Sequence, residues 1–306
     1  MMDYTVMELS KKQLFAPPGD FGTLEKAHFV AVAVPIEASV SYGSGASKGP
    51  EAILHASQQV ELFDVEEKNE PYRAGIATCA FPQSFTKTTQ ALEYAKTITR
   101  EILDLGKIPI VLGGDHSLTP GVLAAFVEKD ASFSVFHIDA HSDLRDSYHG
   151  DPNSHASALR RVLAFPAVRT LVQAGIRNVS NDPDDGNEFS FIQDNTDRIR
   201  IYYAKDMALW NISEMVDALA HDVYITIDVD GLDPSIMPST GTPEPGGIDW
   251  YTTLRMMNEI CLKKNVIGFD IVELAPIPGF HAPDFLVAKL IYKMMGYIAQ
   301  AKGLLS

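Results

Sequence analysis

Seven short apolar runs punctuate this chain, and most are separated by enough sequence for a helix. Residues 28–34 (HFVAVAV), 108–112, 133–138, 170–174, 200–203, 223–227 and 266–272 read as strands. Several of these runs are continuously apolar, the pattern expected of strands covered on both faces. Helices are expected over 50–63, 90–105, 120–129, 212–221, 250–264 and 283–301. Gly49 and Pro50 open one of them, and Ser213 and Asp249 mark N-cap regions for two others. Strands alternating with helices predict an α/β fold with a mainly parallel central sheet and helices on both sides. Such a sheet binds its ligands beyond the carboxyl ends of its strands.

The 306 residues are read as one domain, 1–306, with a short N-terminal arm over about 1–25. Apolar residues make up 46% and charged residues 21%, which excludes wholesale disorder. Cys79 and Cys261 are the two cysteines, too few for a disulfide framework or a thiolate zinc site. The start carries no secretory pattern, and no run is long enough to span a membrane, so a cytoplasmic protein is expected. The formal charge of -15, without clustered Lys or Arg, argues against nucleic acid and is compatible with a small cationic partner.

Three strand ends carry an unusual chemical load. They are GGDHS at 113–117, DAHSD at 139–143 and ITIDVDGLDP at 225–234. Alternation along an extended strand turns Asp139, His141 and Asp143 one way, and Asp228 and Asp230 one way on theirs. Four carboxylates gathered at buried strand ends need compensating charge, and neither cluster contains Lys or Arg. Divalent cations supply it. With His116 the set offers six ligands, rich in oxygen, which favours a hard or borderline metal such as Mn²⁺. Six ligands suit two ions sharing bridging carboxylates, roughly 3.5–4 Å apart, with an activated water between them.

In order and spacing these motifs resemble the ureohydrolases: arginase, agmatinase and their relatives. The resemblance extends to SYGSG at 41–45, GPEAI at 49–53, STGTPEPGG at 239–247 and GFDIVELAP at 268–276. It implies a three-layer α/β/α arginase-like fold, two Mn²⁺ per chain, and hydrolysis of a guanidine to urea and an amine. On that resemblance, His116, Asp139, Asp143 and Asp228 would hold one ion. Asp139, His141, Asp228 and Asp230 would hold the other. Glu273 would bind the guanidinium, as a carboxylate suits paired N–H donors. His155, in NSHAS, would move a proton to the leaving amine, and Asp143 would orient the attacking hydroxide that bridges the metals. His137 is expected to support or pack rather than ligate. The methionine pairs 256–257 and 294–295 are expected to fill the core.

The 144–154 segment resembles the agmatinase version of this loop, and Ser180 stands where arginases place a carboxylate. Agmatine, cleaved to putrescine and urea, is therefore the expected substrate. Asp146, Asp151 and Glu244 are candidates for its far amine. Guanidinobutyrate, guanidinopropionate, arginine, formiminoglutamate and guanidine are alternatives, and Arg145, Lys48 and Arg160 leave room for an acidic substrate. Two alternatives of other classes are a one-zinc deacetylase-like hydrolase and a non-enzymatic assembly protein. The resemblance also implies a homo-oligomer, trimer or hexamer.

Overall fold

The computed structural model describes residues 7–184 and 186–305. Eight strands form one sheet: β1 (Phe29–Val34), β2 (Ile76–Thr78), β3 (Ile108–Gly113), β4 (Phe133–Ile138), β5 (Val168–Ile176), β6 (Ile199–Tyr203), β7 (Asp222–Asp228) and β8 (Asn265–Val272). Their order is β2-β1-β3-β8-β7-β4-β5-β6. Every pair of neighbours runs parallel.

Eight α-helices cover the sheet: α1 (Gly49–Ser57), α2 (Thr88–Asp104), α3 (Thr119–Val127), α4 (Ala158–Leu163), α5 (Glu188–Asp194), α6 (Ile212–Asp217), α7 (Trp250–Lys263) and α8 (Ala282–Ala301). Side chains that alternate along each strand feed two separate cores. Phe29, Ala31, Ile110, Leu112, Phe136, Ile138, Ile225 and Ile227 pack with α1, α6, α7 and α8. Val30, Val32, Val34, Val111, Phe133, Val135 and Tyr224 pack with α2, α3 and α4. The three-layer α/β/α expectation is met, and continuous burial along β1 explains its unbroken apolar run.

Some local expectations need correction. β2 is three residues long, too short to register as a periodic signal. The first helix stops at Ser57 instead of continuing to 63. Beyond it, the Asp64 carboxylate collects the N–H groups of Glu66 and Glu67 and builds a turn. Asn211, not Ser213, caps α6 by accepting from Glu214 N. Asp249 caps α7 as expected. The short helices α4 and α5 were not anticipated. Residues 1–6 of the expected arm lie outside the described residues; further along, Leu14 and Phe15 are buried in the main core. Met256, Met257, Met294 and Met295 are buried as expected.

Because the sheet is parallel, all its carboxyl ends share one edge. The order places β3, β8, β7 and β4 side by side, so the three motif-bearing turns meet there. Close backbone approach fixes two of them. A Cβ on Gly114 would lie 1.8 Å from Ile36 O, and one on Gly231 would lie 2.6 Å from Asp139 N.

Candidate metal centre and cavity

His116 opens the turn after β3, Asp139 to Asp143 follow β4, Asp228 ends β7 with Asp230 just beyond it, and Glu273 follows β8. The expected residues therefore converge. His116 Nδ1 lies 3.1 Å from Asp143 Oδ2 and 3.5 Å from both Asp139 Oδ2 and Asp228 Oδ2. His141 Nδ1 lies 3.0 Å from Asp230 Oδ2 and 3.5 Å from Asp139 Oδ1. Asp139 thus turns one carboxylate oxygen toward each imidazole. Backbone N–H groups pin the remaining oxygens: Asp228 Oδ1 accepts from Asp230 N at 2.9 Å, and Asp230 Oδ1 from Ala140 N at 3.0 Å.

This cluster asks for positive charge. Burial alone would discharge the His116 ring, but Asp139, Asp143 and Asp228 outweigh it and hold its pKa well above the ordinary value. Burial also opposes charge on His141, yet Asp139 and Asp230 push its pKa up to about 12. Burial, with the charges of Asp230 and Asp139 added, raises Asp228 well above the usual carboxylate range. His116 Nδ1 is buried and has no hydrogen-bond partner among the described residues, although three carboxylate oxygens surround it. A ring nitrogen so placed must carry a proton or donate its lone pair to a cation. The donor set, imidazole nitrogens with carboxylate oxygens, fits a divalent ion.

A buried polar row supports the cluster from below. Strand register aligns Gln173, His137, Thr226 and Asp270 across β5, β4, β7 and β8. Thr226 Oγ1 lies 2.8 Å from His116 Nε2, and its own hydroxyl donates to Asp270. Thr119 and Tyr224 also donate to Asp270, at 3.1 and 2.9 Å. Gln173 Nε2 donates to Ser142 O at 2.7 Å and to His137 Nδ1 at 2.8 Å. That leaves His137 Nε2–H to donate to Asp139 Oδ2 at 2.8 Å. His137 is thus a support for Asp139, as the sequence suggested. The rest of the row escaped sequence reading because its members sit inside apolar strands, where a polar residue looks like tolerated packing.

The cluster forms the floor of a cavity of about 240 Å³. That is below the roughly 300–1,000 Å³ of drug-sized sites and suits a small substrate. His141, Asp143, Asp228, Asp230 and Glu273 line it, as do His155 and Glu244. Asp143 and Glu273 both adopt positive φ, 53° and 65°. Non-glycine residues pay for that conformation, and its occurrence at two site carboxylates marks a backbone shaped by the site. Burial, reinforced by the Asp115 charge, raises the Glu273 pKa well above the usual range, while Glu273 Oε1 accepts His116 N at 2.8 Å.

Glu244 is anchored at the rim by Asn178 Nδ2, 2.8 Å from Oε1. Asp151 is exposed on a turn and does not line the cavity, and Asp146 faces Arg161 at 2.8 Å instead. The Arg145 guanidinium does line it, lying 5.0 Å from the centre of the Tyr148 ring. Sequence reading missed Asp115, whose Oδ2 accepts the N–H groups of Ala38 and Ser39 at 2.8 and 3.2 Å and so holds one cavity wall. The Asp within GGDHS was the available signal, one residue before the candidate ligand His116. His28, His55, His149, His221 and His281 are all exposed. Both cysteines are buried, and burial lifts each thiol to about 12.

Parallel strands thus deliver carboxylates and imidazoles to one small cavity, a candidate metal-binding site of the kind hydrolases use. A model of the Arginase family matches residues 27–296, and the chain belongs to that family. It is 37% identical to N(1)-aminopropylagmatine ureohydrolase of Synechocystis, with 90% of each chain covered. It is 31% identical to agmatinase of Bacillus subtilis, covering 83% of this chain and 85% of the relative. The agmatine ureohydrolase of Thermoplasma volcanium superposes with a TM-score of 0.81 at 27% identity, covering 96% of each chain. The protein is a ureohydrolase, a hydrolase acting on amidino C–N bonds.

Proposed function

We propose that this chain hydrolyses an amine-tailed alkylguanidine at a two-metal centre, releasing urea. The observation that carries the metal reading is Asp139, whose two oxygens each face a different histidine nitrogen at 3.5 Å. His116, Asp139, Asp143 and Asp228 would hold one ion, and Asp139, His141, Asp228 and Asp230 the other. The oxygen-rich set favours Mn²⁺ for both. When bound, such a pair supplies a water activated for attack near neutral pH.

The chain's own residues do the rest. Glu273 receives the guanidinium through paired, charge-assisted hydrogen bonds and sets its carbon above the metal-binding carboxylates. Asp143, whose backbone adopts a positive φ, accepts a hydrogen bond from the attacking water and orients it. His155 donates a proton to the departing amine nitrogen as the C–N bond breaks.

Agmatine fits as substrate because the cavity rim offers the Glu244 carboxylate to a terminal ammonium. A second reading, agmatine carrying an aminopropyl group, is favoured by relatives of that name at 33–37% identity, against 31% for the agmatinases. Hydrolysis would then leave a triamine in place of putrescine. The test is urea release by the manganese-loaded protein from aminopropylagmatine, agmatine, arginine and guanidinobutyrate side by side. The amine-tail reading predicts kcat/KM for agmatine and aminopropylagmatine far above that for arginine and guanidinobutyrate, and the faster of the two amines decides between the readings. Preference for either carboxylate-bearing substrate would refute the amine-tail reading.

A further inference from the structure

His155 does not stand free in the cavity. Ser39 Oγ accepts the His155 backbone N–H at 3.0 Å and lies 2.8 Å from Nδ1 of the same residue. Ser41 Oγ lies 2.9 Å from Nε2. The Tyr148 ring meets the imidazole edge to face, 5.6 Å between centres. We propose that Ser39 and Ser41 are positioning residues for His155, gripping both ring nitrogens so that it changes protonation without changing place. This rests on the proton-donor role given to His155 above.

The argument is one of hydrogen-bond capacity. A serine hydroxyl has one hydrogen and two lone pairs, and it rotates. A neutral imidazole needs one donor and one acceptor opposite its nitrogens, whereas an imidazolium needs two acceptors. Ser39 spends one lone pair on His155 N–H and keeps one hydrogen and one lone pair for Nδ1. Ser41 is exposed and keeps its full capacity for Nε2. Rotation of two hydroxyls therefore satisfies every protonation state of the ring in one position. A carboxylate partner would instead favour the charged form and resist proton release.

The serines are themselves held. Asp115 Oδ2 fixes the backbone at Ala38 and Ser39. The Glu37 carboxylate closes the other end of the loop on Gly45 N and the Ser47 hydroxyl. Gly43 N donates to Gly241 O at 3.0 Å, tying the loop to the segment that carries Thr242 and Glu244.

The test uses the metal-loaded full chain with Ser39→Ala, Ser39→Thr, Ser41→Ala and His155→Ala. Crystal structures of the two alanine serine variants should show the His155 ring turned or split between rotamers. Each should lose about tenfold in kcat, part of the 10²–10⁴ that a placed acid supplies, with KM little changed. Ser39→Thr, which restores a hydroxyl, should recover most of it. An unmoved ring with unchanged kcat in both alanine variants would overturn the clamp. Wild-type activity in His155→Ala would instead defeat the proton-donor reading, while the ring position in the serine variants would still judge the clamp.

Discussion

His116 Nδ1 stands 3.1 Å from Asp143 Oδ2, buried and without a hydrogen-bond partner among the described residues. Two such groups are held together when a cation sits between them. Removing bound metal with a chelator should therefore destabilise the fold. At free ion a hundredfold above Kd, each bound ion should contribute about 2.7 kcal/mol, seen as a rise in Tm when manganese is restored. An unchanged Tm after verified removal would count against the site.

Thr226 is the residue through which Asp270 acts on His116. Thr226→Val should leave the His116 Nε2–H unpaired, costing about 1–3 kcal/mol of stability. It should also weaken manganese binding by about 10–100-fold, the usual effect of losing a partner behind a metal ligand. Calorimetric titration with manganese reads the second effect directly, and an unaltered Kd would show that the polar row serves packing alone.

The residues that cluster in the candidate metal centre were legible in the sequence because three polar motifs followed apolar strands, where bland alternatives are few. The row beneath them was not. Gln173, His137, Thr226 and Asp270 become neighbours through the register of four strands that are remote in sequence. Likewise, nothing in SVSY at 39–42 announces that Ser39 and Ser41 face a histidine 114 residues or more away. Helix ends were less legible: α1 stops at Ser57 although its apolar pattern runs on to 63.

Glu273→Gln should keep the fold, since the remaining carbonyl oxygen can still accept from His116 N. It should lose the charge on the guanidinium contact. A charged hydrogen bond contributes about 1.5–3 kcal/mol, so kcat/KM should fall by roughly 10–150-fold. Steady-state kinetics with agmatine provide the check, and an undiminished kcat/KM would remove Glu273 from substrate binding.

Far from the cavity, Lys293 on α8 lies 2.9 Å from both oxygens of Asp64 and 2.6 Å from Glu66. Lys293→Met should cost about 3–5 kcal/mol at pH 7, because Asp64 is left buried without its partner. Burial opposes the charge on Asp64, but Lys293 and two backbone N–H groups outweigh it and lower its pKa below 3.8. A lowered acid stabilises fully above its unfolded value of about 3.9 and loses that contribution as pH falls through the folded one. Burial likewise opposes Lys293, yet Asp64 and Glu66 raise its pKa above 10.5, so its contribution is full below the unfolded value of about 10.4 and is lost as pH rises through the raised one. Denaturant melts should therefore show a constant gap between wild type and variant from about pH 5 to 10, narrowing in stronger acid.

The central claim is a pair of ions sharing Asp139, and anomalous diffraction from manganese-soaked crystals addresses it most directly. Two anomalous peaks per chain are expected, one beside His116 Nδ1 and one beside His141 Nδ1, with Asp139 between them. A single peak at full occupancy, or peaks away from Asp139, would contradict the account.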